Sequence, residues 1–312
     1  MTKNFKPGLV HTPITPFKRD QSVDYDTYAK VLEFHIKHGA EALALPMPEG
    51  EDMSLTDPEL RKVLEFAIKQ VKGRVPVIAH VSDAGTAIAV ERAVHAEKAG
   101  AAAIVTHPPY FWHPKPAMIV EHIARIGAAV KLPLFIFNPP IESVGATLSS
   151  GMVLELVERV PNLVGIVDAG LEFVFMEEIM GSTRAKHPEF QLLAGQDYPV
   201  SAFALGGSGV FSPLSAIAPG LVKNAYNLCK ARKFIEARGA QENLAELHHL
   251  LKEAGESGLK DGLAGIKTAM ASMGRECGAP RPPVRPLGEV ERGRIAEALR
   301  AMPFLAAEPR GW

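Results

Sequence analysis

Six side chains able to carry acid–base or metal chemistry fall at, or just past, the ends of short apolar runs: Glu49, Glu51, His80, His107, Glu142 and Asp168. Carboxylates combined with histidine suit manganese, zinc or iron, and carboxylates alone suit magnesium. Histidine is also the side chain best able to move a proton near neutral pH. No compact ligand signature such as His-Glu-x-x-His links the six. A structural or solvated role is therefore the expectation for most of them, with no metal site and no cofactor. His80 in particular reads as a hydrogen-bonded histidine filling space before it reads as a ligand or base. Lys115, Lys260 and Lys267 lie outside the strand ends, and nothing in their local sequence marks a lowered amine pKa. Gly206-Gly-Ser-Gly209 has the look of a phosphate-cradling loop. Tyr110-Phe-Trp-His113 is an aromatic cluster, and a subunit contact is a commoner use for one than a base-stacking platform. His248-His249, inside a helical stretch, read as surface residues.

These side chains need a frame, and the chain alternates short apolar runs with amphipathic helical stretches. The runs Gly8–Ile14, Ala42–Leu45, Val75–His80, Ala102–Thr106, Leu134–Phe137, Leu163–Val167, Phe190–Ala194 and Gly209–Phe211 read as buried parallel strands. Thr56-Asp-Pro-Glu59 is a capping box that opens a helix with Leu60, Val63, Leu64, Ala67 and Val71 on one face. Asp24 or Asp26 opens an earlier helix closed by Gly39, and 86–100 reads as another. Strand–helix units repeating about every 30 residues predict a (β/α)8 TIM barrel, with a doubly wound sheet as the alternative. After the eighth strand the pattern changes to consecutive helices at Leu221–Phe234, Ile235–Glu253, Leu263–Met273 and Glu289–Ala301, the last set off by a proline-rich link, 279–286. The expected division is a barrel over 1–220 and a helical appendix over 221–312 packed on it.

Composition narrows the functional classes. Lys plus Arg number 34 against 35 for Asp plus Glu, so there is no basic excess and no nucleic-acid partner is expected. Two cysteines, Cys229 and Cys277, cannot build a disulfide framework. The uncharged stretch 198–222 is long enough to span a bilayer, but Pro199, Gly206, Gly207, Gly209, Pro213 and Pro219 make it a poor membrane helix. The N-terminus lacks the apolar run of a signal peptide. The chain reads as soluble and cytoplasmic, with a small-molecule partner and no membrane.

Several motifs resemble one known family. Gly8-Leu-Val-His-Thr-Pro-Ile-Thr-Pro-Phe17 is similar to the first strand of the dihydrodipicolinate synthase / N-acetylneuraminate lyase family. Gly50-Glu51 followed by Leu55-Thr56, then Pro109-Tyr110, Asn138-Pro-Pro140 and Gly209-Val-Phe-Ser212 match it in order. So do the tail from Gly265 to Gly274 and Arg281-Pro-Pro283. The resemblance runs nearly end to end. It implies a TIM barrel with C-terminal helices, a homo-oligomer (tetramer or dimer), and class I aldolase chemistry on pyruvate or another 2-oxo acid. It makes the Gly206–Gly209 turn the entry to the eighth strand, Glu51 a brace for its loop, and Lys267 a structural lysine. The aromatic cluster becomes a pocket wall or subunit contact.

The same resemblance exposes departures in the chemistry-bearing positions. The family forms an imine between a sixth-strand lysine and the keto acid, in a Gly-Ile-Lys motif; here the motif is Gly165-Ile166-Val167. Valine has no amine. The fifth-strand tyrosine that relays protons is Phe137, and the second member of the tyrosine pair is Phe111 beside Tyr110. The carboxylate-holding Gly-Thr-Thr-Gly-Glu stretch is Met47-Pro48-Glu49-Gly50-Glu51, where Pro48 has no N–H and Glu49 repels an anion. Glu142 stands where an arginine often holds a second acid, and His80 replaces a usual glycine. By family the activity is that of a carbon–carbon lyase or synthase, yet Schiff-base catalysis is expected to be absent or impaired. The expected ligand-binding set is Pro48, Glu49, His80, Tyr110, Phe111, Phe137, Glu142, Val167 and Ser212. The alternative is a small-molecule binder or a metal-assisted enzyme, the ion polarising a keto acid as a Lewis acid.

Overall fold

A computed structural model describes residues 5–111, 114–140, 145–253 and 262–312. The apolar runs become β1 (Leu9–His11), β2 (Ala42–Leu45), β3 (Val77–His80), β4 (Ala103–Thr106), β5 (Leu134–Asn138), β6 (Leu163–Asp168), β7 (Gln191–Ala194) and β8 (Gly209–Ser212). They are parallel and pair in chain order, and β8 returns to β1 through Val210 beside Leu9 and Phe211 beside Val10. That last pairing closes the barrel and excludes the doubly wound alternative. Strand side chains alternate between two apolar layers. Val10, Ala44, Ile78, Val105, Phe135, Val167, Leu193 and Phe211 fill the interior. Phe5 plugs its N-terminal end, with its ring 6.1 Å from that of Phe135.

The strands are shorter than their apolar runs, for a local reason. β1 stops at His11, two residues before Pro13, and β3 starts one residue after Pro76, because proline has no N–H for the ladder. Outside lie α1 (Tyr25–Lys37), α2 (Asp57–Val71), α3 (Thr86–Ala99), α4 (Pro116–Ala128), α5 (Ser150–Arg159), α6 (Phe173–Thr183) and α7 (Pro199–Ala204). Asp24, not Asp26, caps α1 by accepting the Thr27 N–H at 3.1 Å. The expected box at α2 forms, with Glu59 accepting the Thr56 N–H at 2.9 Å. The uncharged stretch 198–222 is broken into α7, β8 and the start of the next helix, and no described helix is long and apolar enough to cross a membrane.

The C-terminal helices are α8 (Pro219–Lys230), α9 (Phe234–Glu253), α10 (Leu263–Ser272) and α11 (Glu289–Ala301). The junction expected between Phe234 and Ile235 falls earlier: α8 ends at Lys230, and Arg232 turns the chain in the left-handed region (φ 58°). Arg275 ties this segment down from a buried site. Its guanidinium donates to the carbonyls of Ala216 and Ile217 (both 3.1 Å) and Pro309 (2.6 Å), and lies 4.3 Å from the Phe34 ring centre. Burial lowers its pKa to about 10, which leaves it charged at neutral pH. One surface expectation is corrected here. His248 is half-buried, with its ring 6.0 Å from that of Tyr198, and burial lowers its pKa to about 4. Only His249 of that pair is exposed.

Candidate active site

The inward positions at the C-terminal ends of the strands define the barrel mouth. Val167 occupies the inward position on β6, with 0% of its surface exposed, and pairs in register with Phe137 on β5. Alternation turns the next residue, Asp168, outward. Its carboxylate accepts from Asn138 Nδ2 at 2.8 Å and from the Leu171 N–H at 3.0 Å, bracing the β5 and β6 exits. Burial raises the Asp168 pKa, against those hydrogen bonds.

The β2 exit forms a tight turn over Pro48–Gly50. Of its backbone N–H groups, that of Gly50 is committed to Met47 O (2.7 Å), the following Glu51 N–H is committed to Pro48 O (3.0 Å), and Pro48 has none. Gly50 packs closely here: a Cβ would lie 3.1 Å from Pro13 O, which would have to give by a few tenths of an ångström, and Thr15 Oγ1 donates to Gly50 O at 2.6 Å. Pro48 is exposed and Glu49 half-buried. Glu51 is buried in the left-handed region (φ 58°), 2.5 Å from Lys267 Nζ, and accepts the Arg281 N–H at 2.8 Å. Lys267 also faces the Phe17 ring at 4.4 Å. Its ammonium is therefore a buried half of an ion pair, not a spare nucleophile, and Lys115 is exposed at the start of α4.

A polar chain runs from this turn into the β3 exit. Strand alternation carries the inward face from Ile78 to His80. His80 Nδ1 lies 3.1 Å from Pro46 O and 3.2 Å from Asp52 Oδ2, while Nε2 lies 2.7 Å from Ser82 Oγ. Both neighbours of Nδ1 are acceptors, so Nδ1 carries the proton and Nε2 accepts from the Ser82 hydroxyl. Ser82 Oγ in turn accepts the His107 backbone N–H at 2.9 Å. Burial opposes ionisation of Asp52, but the hydrogen bond from His80, with the imidazole of His107 nearby, leaves its pKa lowered. His107 donates from Nδ1 to Pro108 O (2.7 Å), and burial brings its pKa down to about 4, leaving it neutral. Tyr110 is half-buried, its ring 5.5 Å from that of His107.

Across the mouth, Asp197 follows β7 in the left-handed region (φ 60°), directly after Gln196 at φ 55°. Two such non-glycine residues in succession hold strain at the strand exit. Asp197 Oδ2 accepts the Leu214 N–H at 3.1 Å, whereas buried Oδ1 has no hydrogen-bond partner among the described residues. Burial pushes the Asp197 pKa up to about 7, against a Ser212 hydrogen bond and with the charge of Glu49 acting in the same direction. Ser212 is fully buried beneath it, its Oγ accepting the Ser215 N–H at 3.1 Å.

The structure thus brings His80, Tyr110, Phe137 and Val167 to the mouth, places Glu49 in the field of Asp197, and sets Ser212 below. Phe111 is 84% exposed, in the left-handed region (φ 71°). Glu142, Lys260 and the rest of the aromatic cluster, Trp112 and His113, lie outside the described residues. Asp52, Ser82 and Asp197 escaped sequence reasoning. They come from three separate loops, and only the unusual histidine two residues before Ser82 hinted at them. Among the described residues no three His, Cys, Asp or Glu side chains are grouped to hold a metal ion. The glycine-rich turn sits at the other end of the barrel, lining a 260 Å³ cleft with Lys6, Arg184 and His187. Its N–H groups are spent on Phe203 O, Ala202 O and Leu192 O, so it cradles no phosphate.

Comparison with known proteins agrees with this architecture. The model of the dihydrodipicolinate synthetase family matches residues 6–302. The 4-hydroxy-tetrahydrodipicolinate synthase of Brucella abortus is 31% identical over 294 residues, 94% of this chain and 97% of its own. Dihydrodipicolinate synthase from Aquifex aeolicus superposes with a TM-score of 0.86 at 27% identity, covering 95% of this chain and 98% of that one. YagE, a prophage protein of E. coli K12 whose crystal structure contains pyruvate, superposes with a TM-score of 0.88 at 25% identity, covering 96% and 99%. Matched over nearly its whole length and folded as a closed eight-stranded barrel with C-terminal helices, this chain belongs to the dihydrodipicolinate synthetase family.

Proposed function

We propose that this chain is a small-molecule enzyme built on the pyruvate-aldolase scaffold in which imine chemistry has been lost. The observation that carries this reading is Val167: it fills the inward β6 position completely, with Phe137 beside it. An imine needs an amine at that place, and the nearest buried candidate, Lys267, is held by Glu51. The β2 turn supports the same reading, because Pro48 and Glu49 replace groups that would hold a carboxylate. The ligand is accordingly a small molecule, a 2-oxo acid being the family's precedent, bound without a covalent bond to lysine. His80 supplies acid–base chemistry, since Asp52 orients it and its Nε2 faces a hydroxyl. A metal-assisted reaction finds no ligand group among the described residues.

The same proposal includes a homo-oligomer, supported by Phe111 at 84% exposure and by the exposed Phe173, Val174 and Ile235. It places the barrel over 1–220 and its helical appendix over 221–312. Buried unpaired Cys229 and Cys277 suit the cytoplasm.

The test is reductive trapping. The purified protein is incubated with pyruvate and borohydride, and its intact mass is recorded beside that of a relative carrying the lysine. An unchanged mass, while the relative gains reduced pyruvate, is the expected result. A mass gain mapped to any lysine overturns the proposal.

A further inference from the structure

Ser82 stands one hydrogen bond from an imidazole that a buried carboxylate orients, and the polarity of that chain is set by its surroundings. Two acceptors at His80 Nδ1, Pro46 O at 3.1 Å and Asp52 Oδ2 at 3.2 Å, keep the proton there. The His107 N–H donating to Ser82 Oγ at 2.9 Å leaves the hydroxyl proton directed at His80 Nε2, 2.7 Å away. The loop beyond is pinned. Arg92 donates to Ser82 O at 2.5 Å and pairs with Asp83 at 3.0 Å, and Asp83 accepts the Gly85 N–H at 2.8 Å. A hydroxyl, an imidazole and a carboxylate in this order, with these proton positions, form the arrangement that activates a serine.

We propose that Ser82 is a nucleophile for acyl transfer from a small carboxylic ester, with His80 as its base and Asp52 as the positioning residue. Ser82 Oγ attacks the ester carbonyl carbon as its proton passes to His80 Nε2. The tetrahedral oxyanion then collapses, the bond to the alcohol oxygen breaks, and His80 returns the proton to the departing alkoxide. Water, deprotonated by His80, attacks the acyl carbon and releases the acid, with Ser82 recovering the proton. Asp52 stays ionised throughout. Tyr110 lies on the next strand exit with its ring 5.5 Å from that of His107, and burial with Asp83 and Asp52 nearby raises its pKa, so the phenol keeps its proton and is a candidate donor to the oxyanion. Ser82 is only 3% exposed, which favours a small acyl group such as acetyl. The inference goes beyond the loss of imine chemistry and does not depend on it.

Methanesulfonyl fluoride, a reagent of about acetyl size, tests it directly, because attack by Ser82 forms a sulfonate ester and expels fluoride. Expected are a single addition by intact mass, located by peptide mapping to Ser82, none in Ser82→Ala, and labelling at least ~100-fold slower in His80→Asn. p-Nitrophenyl acetate should be hydrolysed in preference to the hexanoate. An unlabelled wild-type protein with native circular dichroism, or a label on another residue, overturns the proposal. Should Ser82→Ala fail to fold, the mapped position of the wild-type label decides alone. Reductive trapping with pyruvate reads a different adduct on a different residue type, so the two proposals fail separately.

Discussion

The two sides of the barrel mouth depart in opposite directions from what the family resemblance implies. On the β5–β6 side, Phe137 and Val167 present hydrocarbon where the family resemblance implies a hydroxyl and an amine. On the β2–β3 side, Asp52, His80 and Ser82 form a continuous hydrogen-bonded chain where the resemblance implies a glycine at position 80. Burial is similar on both sides, so burial does not distinguish them. Hydrogen bonding does. An apolar side chain needs no partner when buried, whereas each polar group on the β2–β3 side is held by at least one other. The comparison teaches that the lining of a barrel mouth can differ from one pair of strand exits to another without disturbing the frame, because each strand exit is an independent loop on a shared core.

Rebuilding the apolar side is the strongest way to break this contrast. The double variant Val167→Lys, Phe137→Tyr puts an amine where valine is 0% exposed. A pKa lowered by 3–5 units from about 10.4 corresponds to roughly 4–5 kcal/mol lost from folding at pH 7, because the loss stops growing once the folded pKa lies below 7; it is read by urea denaturation. The variant should gain a borohydride-trapped pyruvate adduct yet show no aldol turnover, because Pro48 and Glu49 stay unsuited to the carboxylate. Full turnover would show that the β2 turn matters less than its chemistry implies.

On the polar side, Glu51→Ala should cost about 3–5 kcal/mol by stranding the buried ammonium of Lys267. The expected readout is a lowered urea midpoint with an unchanged slope. A loss below about 1 kcal/mol would mean that Lys267 finds another partner or reaches water, and would reopen it as a nucleophile.

The smallest effect is a change in pH dependence. Burial raises Asp197 to about 7, well above an unfolded carboxylate near 3.8. The folded state therefore binds the proton more tightly, and stability from this group is fully present below pH 3.8 and lost as pH rises through 7. His107, lowered to about 4, has the opposite sign: its contribution is present above about 6.5 and lost as pH falls through 4. Asp197→Asn should consequently gain stability relative to wild type at pH 8 compared with pH 5, measured by thermal melts at both. An unchanged difference would place a partner on the orphaned Oδ1.

Most of the frame was legible in the chain. Strand–helix alternation, the Thr56–Glu59 box and the prolines at strand ends act over a few residues, so local pattern suffices to read them. The inward placing of Val167 was legible too, because alternation along β6 settles which residue faces inward. Ser82 was not. A serine two residues after a histidine on a loop carries no signal until Asp52, thirty residues earlier, is folded against it. Asp197 was hidden for the same reason: its raised pKa comes from burial and from Glu49, both long-range.

By itself the amino-acid sequence determined the barrel, its helical sequel and the absence of an amine at the sixth-strand position. These follow from periodicity and from the chemical identity of single side chains. Only the tertiary structure decided that Lys267 is an occupied cation, that the N–H groups of Gly206, Gly207 and Ser208 are spent on backbone carbonyls, and that Asp52, His80 and Ser82 form one hydrogen-bonded chain. Each of these depends on which groups from distant loops lie within about 3 Å of one another, and hydrogen bonds and ion pairs have that short reach.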